Sequence, residues 1–155
     1  MSDQHGSINI QPIGLECVCT LRKDDPLAAK SVLTPDDLDN APMAALFKEH
    51  LTTRNAHRVF AEADKRFRVR FETSVLVPAL TIVEQGAAYA LIDQISAASY
   101  RLYRGDAGVL TFRPFRPRIP YDIAIVTPAH RPPSRLAAAF CDRIEQEVTR
   151  FIEVV

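Results

Sequence analysis

Apolar and polar positions change period twice within residues 67–93. Phe67, Val69 and Phe71 alternate with Arg68, Arg70 and Glu72, the period of a strand with one face buried. Thr73 and Ser74 follow, and both side chains can cap a helix start. Residues 75–85 then repeat helically, with Leu76, Leu80 and Val83 on one stripe and Gly86 placed to end it. Pro78 removes a donor from the first turns, so the position of the cap is open. Residues 87–92 form a second apolar run of strand length, closed by Asp93. Strand, helix, strand predicts a βαβ unit, whose ligands lie beyond the carboxyl ends of the strands, where helix N-termini point free N–H groups. Thr73, Ser74 and Asp93 fall at that edge.

The same reading extends outward. Residues 1–12 show no periodicity and read as a leader. Residues 15–21 predict a strand with Leu15, Cys17 and Cys19 on one face, broken by Asp24-Asp25-Pro26. Thr34-Pro35-Asp36-Asp37-Leu38 carries the signal of a helix start, and Asn40 and Pro42 limit that helix to one or two turns. Residues 43–47 predict a short strand. Ala56, Val59, Phe60 and Ala63 recur at helical spacing, giving a helix capped by Thr52 or Thr53. A helix over 96–103, a turn over 104–108 and a strand over 109–112 follow. The turn contains Arg-Gly-Asp, three common residues that carry little weight as a motif. Residues 113–120 hold three prolines and read as a connector rather than a central strand. A strand over 121–126 then leads to a helix capped by Ser134, with Leu136, Phe140, Ile144, Val148 and Phe151 as its buried stripe. The alternation of elements predicts an α/β fold with a largely parallel sheet.

Composition and charge narrow the function. A chain of 155 residues is one domain by length. With 19 basic and 19 acidic residues, the net charge of +0 gives no sign of nucleic acid or an anionic membrane as the main partner. Arg113, Arg116 and Arg118 are interrupted by prolines and aromatics and read as a solvated surface segment. No apolar run approaches the roughly 20 residues of a membrane span, and residues 1–6 lack a signal peptide's layout, so a cytoplasmic location is expected. The lone Cys17-x-Cys19 pair and Cys141 read as buried, inert thiols rather than metal ligands. His50 and His57 would share a face of one continuous helix, but a helix starting at Thr52 leaves His50 in the loop, so no metal is expected. Asp24-Asp25 and Asp36-Asp37 are explained by a turn and by capping. Serine-hydrolase, phosphate-loop, zincin and dinucleotide motifs are missing, so neither an enzyme nor a cofactor is expected.

Several short stretches, taken in order, resemble the effector-binding domain of LysR-type transcriptional regulators. The resemblance runs from about Gly14 to Phe140. Residues 15–21 with Asp25-Pro26-Leu27-Ala28 resemble the family's apolar strand and His-Pro-Leu-Ala. Leu33-Thr34-Pro35-Asp36-Asp37-Leu38 resembles its (Val/Leu)-Thr-Pro-x-Asp-Leu. Phe71-Glu72-Thr73, a helix and Gly86 resemble the strand and Val-x-x-Gly-x-Gly that follow. Arg113-Pro114-Phe115, Ile119-Pro120-Tyr121 and residues 131–140 resemble its Pro-Phe, Ile-Pro-Tyr and Ser-Arg-Leu-x-x-x-Phe ending. Asp25 stands where the family usually has His, and Ala88 where it has the second Gly.

The resemblance implies part of a periplasmic-binding-protein type II-like domain: a three-layer αβα lobe with a mixed, largely parallel sheet. It implies a leader over 1–13, an effector-binding lobe over 14–112 and a hinge over 113–120. Residues 121–155 would be the strand and helix returning to a first lobe. The family's helix-turn-helix and the first half of its two-lobed domain have no counterpart here, so DNA would be reached only through a full-length regulator. A small effector would lie in the cleft, contacting Thr52, Thr53 and Arg54 at one helix start, Thr73 and Ser74 at the next, and Asp93. Helix starts, hydroxyls and Arg54 suit a carboxylate, and Asp93 suits an ammonium, so a carboxylate or amino-acid-like effector is implied. From the residues alone, caps and a turn explain the same positions. Homo-oligomers are the other expectation, because the apolar stripe of the last helix needs cover; a self-pairing module without a working ligand site is the alternative function.

Overall fold

The computed structural model describes residues 8–153 and 155. Its elements are β1 (Ile8–Ile13), β2 (Cys17–Arg22), β3 (Pro42–Leu46), α1 (Leu51–Glu62), β4 (Arg68–Thr73), α2 (Leu76–Glu84) and β5 (Ala90–Asp93), then α3 (Gln94–Arg104), β6 (Leu110–Pro114), β7 (Ile123–Pro128) and α4 (Arg135–Ile152). Short 3-10 turns lie at Pro26–Ala29 and Gly105–Ala107.

β3 pairs with β4 in parallel, while β2 pairs antiparallel with both β5 and β6. Tyr89, just before β5, joins these ladders: its N–H donates to Pro42 O at 2.9 Å and its carbonyl accepts from Ala44 N at 2.8 Å. The resulting sheet runs β4-β3-β5-β2-β6, with only β2 reversed. The expected βαβ unit is present as β4-α2-β5, with β3 lying between its two strands. β2 points Cys17, Cys19 and Leu21 into a cluster with Leu33, Phe60, Phe115 and Ile119. Its other face places Val18 against Val83, Ala97, Tyr100 and Phe112. Helix α1 therefore covers one face and α2 with α3 the other, giving three layers. Gly86 adopts φ 71°, a left-handed conformation that lets the chain turn from α2 towards β5 without a Cβ.

Several elements differ from expectation. Residues 8–13 are a strand rather than a leader: β1 pairs antiparallel with β7 along its whole length, and Pro12 is accommodated in a two-stranded ribbon. Residues 1–7, the rest of that leader, lie outside the described residues. Thr34–Leu38 makes turns instead of a helix. Asp37 accepts from both the N–H and the hydroxyl of Thr34, and the chain reverses at Asn40 with φ 56° before a second helical turn can form. The proline-rich connector contributes to the core, because Phe115 and Ile119 are fully buried. Arg113 is not simply solvated, since its guanidinium donates to Ala28 O and to the Thr111 hydroxyl. The stripe of α4 is not buried: Leu136 is 82% and Phe140 63% exposed, and α4 has no buried residue. Its later turns lean on α3, while in its first turns Leu136 and Phe140 stay exposed and Ala137, Ala138 and Cys141 are only partly covered.

Candidate ligand-binding site

Three helices begin around one cavity of about 170 Å³ at the carboxyl ends of β3 and β5. Space exists there because the lining from β3, α1 and α2 is alanine at Ala44, Ala45, Ala56 and Ala79. Phe67, Leu91 and Ile92 supply apolar wall, and His50, Thr52, Thr53, Asp93, Ser96 and Tyr121 supply the polar groups.

The start of α1 is capped by His50, not by either threonine. His50 Nδ1 accepts from Thr52 N at 3.3 Å, and its ring meets Phe47 edge-on. Thr52 and Thr53 occupy the second and third helical positions, both buried, and the Thr53 hydroxyl donates to Leu46 O at 3.0 Å. His50 lies in the loop just before the helix, as expected, but the expectation of a cap at Thr52 or Thr53 is corrected. The start of α3 is capped by Asp93, which accepts from Ser96 N at 2.9 Å and the Ser96 hydroxyl at 2.7 Å.

Helix α2 differs from both. Its N-cap is Val75, which offers no side-chain acceptor, so Thr73 and Ser74 are not its caps. Thr73 closes β4, its hydroxyl directed at Ala45 O across 3.5 Å, and Ser74 is exposed. Pro78 is the third residue of α2, leaving Leu76 and Val77 as the donors of the first turn.

The structure thus brings Thr52, Thr53 and Asp93 together and leaves Arg54, Thr73 and Ser74 outside the lining. Arg54 follows Thr53 on α1 but is exposed, because one step along a helix rotates a side chain to another face. His50, Ser96 and Tyr121 were not expected. Ser96, three residues after an Asp, carries a capping signal; Tyr121 arrives from the far end of the connector, with no local signal.

Asp93 is the carboxylate of the cavity, and its field reaches its neighbours. Burial first, and Asp93 second, push the Cys17 thiol up to about 12, with the Thr52 hydroxyl pulling the other way. Burial likewise raises the Tyr121 phenol, and Asp93 and Cys17 add to the shift. Among the described residues no cluster of His, Cys, Asp and Glu could hold a metal ion. No helix among them is long and apolar enough to cross a membrane.

Comparison with known proteins gives this cavity its context. The chain is 26% identical over 147 residues to the transcriptional activator protein LysR of Escherichia coli, covering 95% of this chain and 46% of that protein. It is 23% identical over 141 residues to the regulatory protein NocR of Agrobacterium tumefaciens, covering 90% of this chain and 45% of that one. The chain therefore spans about half the length of these curated relatives. Among solved structures, the regulatory domain of Synechocystis PCC6803 CcmR, in complex with 2-PG, superposes with a TM-score of 0.68 at 20% identity. That match covers 94% of this chain and 69% of the other. LysR regulatory domains have the periplasmic-binding-protein type II-like fold, bind small-molecule effectors and belong to oligomeric transcriptional regulators rather than to enzymes. The LysR substrate binding domain family model matches residues 4–149, and the chain belongs to that family.

Proposed function

We propose that this chain is the effector-sensing part of a transcriptional regulator and that the cavity receives a small amino-acid-like zwitterion or carboxylate. The observation that carries the reading is the meeting of three helix starts beside Asp93, with the start of α2 free of any side-chain acceptor. Free N–H groups at a helix start favour an anion. Asp93 spends one acceptor site of each oxygen on Ser96, and a carboxylate offers about four sites, so capacity for an ammonium is left. The lining contains neither Lys nor Arg, so the anion would be held by backbone dipoles and hydroxyls.

In this reading residues 14–112 form one lobe, residues 113–120 the hinge built into its core, and residues 121–155 with β1 a part of the other lobe. Effector binding shifts the balance between two arrangements of the lobes by its difference in affinity for them. A helix-turn-helix of the full-length regulator would carry DNA binding, and the regulator would act in the cytoplasm.

A thermal-shift screen of amino acids, opines and small organic acids tests this, comparing wild type with Asp93→Asn. Asparagine still caps a helix but removes the charge. An amino acid should stabilise the wild type and lose that effect in the variant. Amino acids that shift neither protein would overturn the zwitterion reading.

A self-pairing module is the second reading, favoured by the exposure of Leu136 and Phe140 on α4. Sedimentation velocity decides it: a monomer at every concentration would sink pairing through that face.

A further inference from the structure

Two segments cross between the main sheet and the β1–β7 ribbon, and Glu16 stands where they meet. Residues 14–16 lead from β1 into β2, and residues 115–122 lead from β6 into β7. Their backbones are already joined: Cys17 N donates to Ile119 O at 2.8 Å, Tyr121 N donates to Leu15 O at 3.0 Å, and Glu16 faces Pro120. The side chain of Glu16 adds charge to that joint. Arg116 Nη1 contacts one carboxylate oxygen at 3.1 Å, and Arg118 Nε contacts the other at 3.1 Å. Glu16 is the sheltered member, with its side chain 17% exposed against 49% and 55% for the arginines. Arg118 also donates to Leu15 O at 3.3 Å, so one guanidinium holds both the side chain and the backbone of the opposite segment.

The same residue also holds the start of a helix that begins at the cavity. Glu16 N donates to Gln94 Oε1 at 3.0 Å, and Gln94 is the first residue of α3, immediately after Asp93. Glu16 is thus the point at which both crossing segments and the helix bounding the cavity are tied together. Backbone pairing alone would leave two hydrogen-bonded strands free to twist about one another. Two guanidiniums arriving from different positions of one segment fix the rotation as well.

We propose that Glu16, Arg116, Arg118 and Gln94 form a clamp that sets the pose of the β1–β7 ribbon and α4 against the main sheet. That the clamp also relays occupancy of the cavity through Gln94 rests on the cavity being the effector site. The pose itself does not depend on that reading.

Hydrogen exchange of the ligand-free chain, read peptide by peptide, tests the clamp. Glu16→Gln keeps the shape and removes the charge. Its ribbon amides, within Ile8–Ile13 and Ile123–Pro128, should exchange about fivefold faster, the scale of losing two partly exposed ion pairs of modest strength. Amides of β2, β5 and β6 should keep their rates. Arg118→Lys, which keeps the charge but not the two-pronged contact, should fall between wild type and Arg118→Gln, whereas Arg118→Gln should follow Glu16→Gln and serves if the Glu16 variant fails to fold. Gln94→Ala should accelerate the ribbon with the ion pairs intact. Unchanged ribbon rates in Glu16→Gln, or equal acceleration throughout the sheet, would overturn the proposal. Because no ligand enters this measurement, its failure is distinct from failure of the effector screen.

Discussion

Phe60 and Phe115 lie nearly parallel, with ring centroids 5.8 Å apart and planes 9° from one another. One belongs to α1 and the other to the proline-rich segment after β6, so this contact fastens the helix that begins at the cavity to the crossing towards β7. Phe67 closes the group at 5.1 Å from Phe60. Both Phe60 and Phe115 are fully buried. Phe60→Ala should cost about 3–5 kcal/mol by leaving a cavity among rings that cannot collapse. Urea unfolding checks this, and a cost under about 1 kcal/mol would show that the group is loosely packed.

Thr20 should behave in the opposite sense. Its hydroxyl is buried in the middle of β2 and finds no hydrogen-bond partner among the described residues. Thr20→Val keeps the branched shape that suits a strand and removes the stranded polar atom. Stability should rise by about 1 kcal/mol, read as roughly 2–4 °C in the melting temperature. A fall in melting temperature would mean that the hydroxyl has a partner in solution.

The cysteines should react unequally. Cys17 and Cys19 are fully buried and their thiols are raised far above the usual value, chiefly by burial. Cys141, on α4, is partly exposed. An iodoacetamide time course on the native protein should therefore label Cys141 first and the pair on β2 only after unfolding. Labelling of Cys17 at the rate of Cys141 would show that β2 opens readily.

Acid should weaken the turn at Asp37. Burial on its own would raise this carboxyl, but hydrogen bonds from Lys30 and from the Thr34 N–H and hydroxyl outweigh it and hold the group below its ordinary 3.8. A folded-state value below the unfolded one stabilises the fold above the unfolded value, and that stabilisation is lost as pH falls through the folded value. Wild type should lose stability below about pH 4 more steeply than Asp37→Asn. Parallel curves for the two proteins would remove Asp37 from the acid response.

Local chemistry made some of this molecule legible and hid the rest. The alternation of Val69 and Phe71 with three charged residues predicts β4 because an edge strand keeps one face wet. Ser134 before α4 and Gly86 after α2 act as their residue types suggest. The capping pattern at Thr34 is also real, and Asp37 uses it, but a cap does not ensure a helix when Asn40 reverses the chain so soon. Ile8 and Ile10 do alternate with Asn9 and Gln11, yet a strand of this length is read only with its partner β7, far along the chain. The cavity was legible at Thr52, Thr53 and Asp93, since helix starts at strand ends follow from the order of elements. His50 was hidden because histidine is an uncommon cap, and Tyr121 because only tertiary folding returns the connector to that place.

The reversed strand β2 has a consequence for synthesis. Its ladder partners, β5 and β6, begin at Ala90 and Leu110, so β2 leaves the ribosome long before either exists. During that interval the backbone donors of β2 are unpaired and its two thiols, later sealed in the core, face the solvent. A nascent chain of this kind cannot close its sheet by adding strands in the order they emerge; the oldest strand waits for the free edge of β5, and β6 then adds to it. Oxidants and aggregation partners therefore have their best access to Cys17 and Cys19 while the chain is still being made.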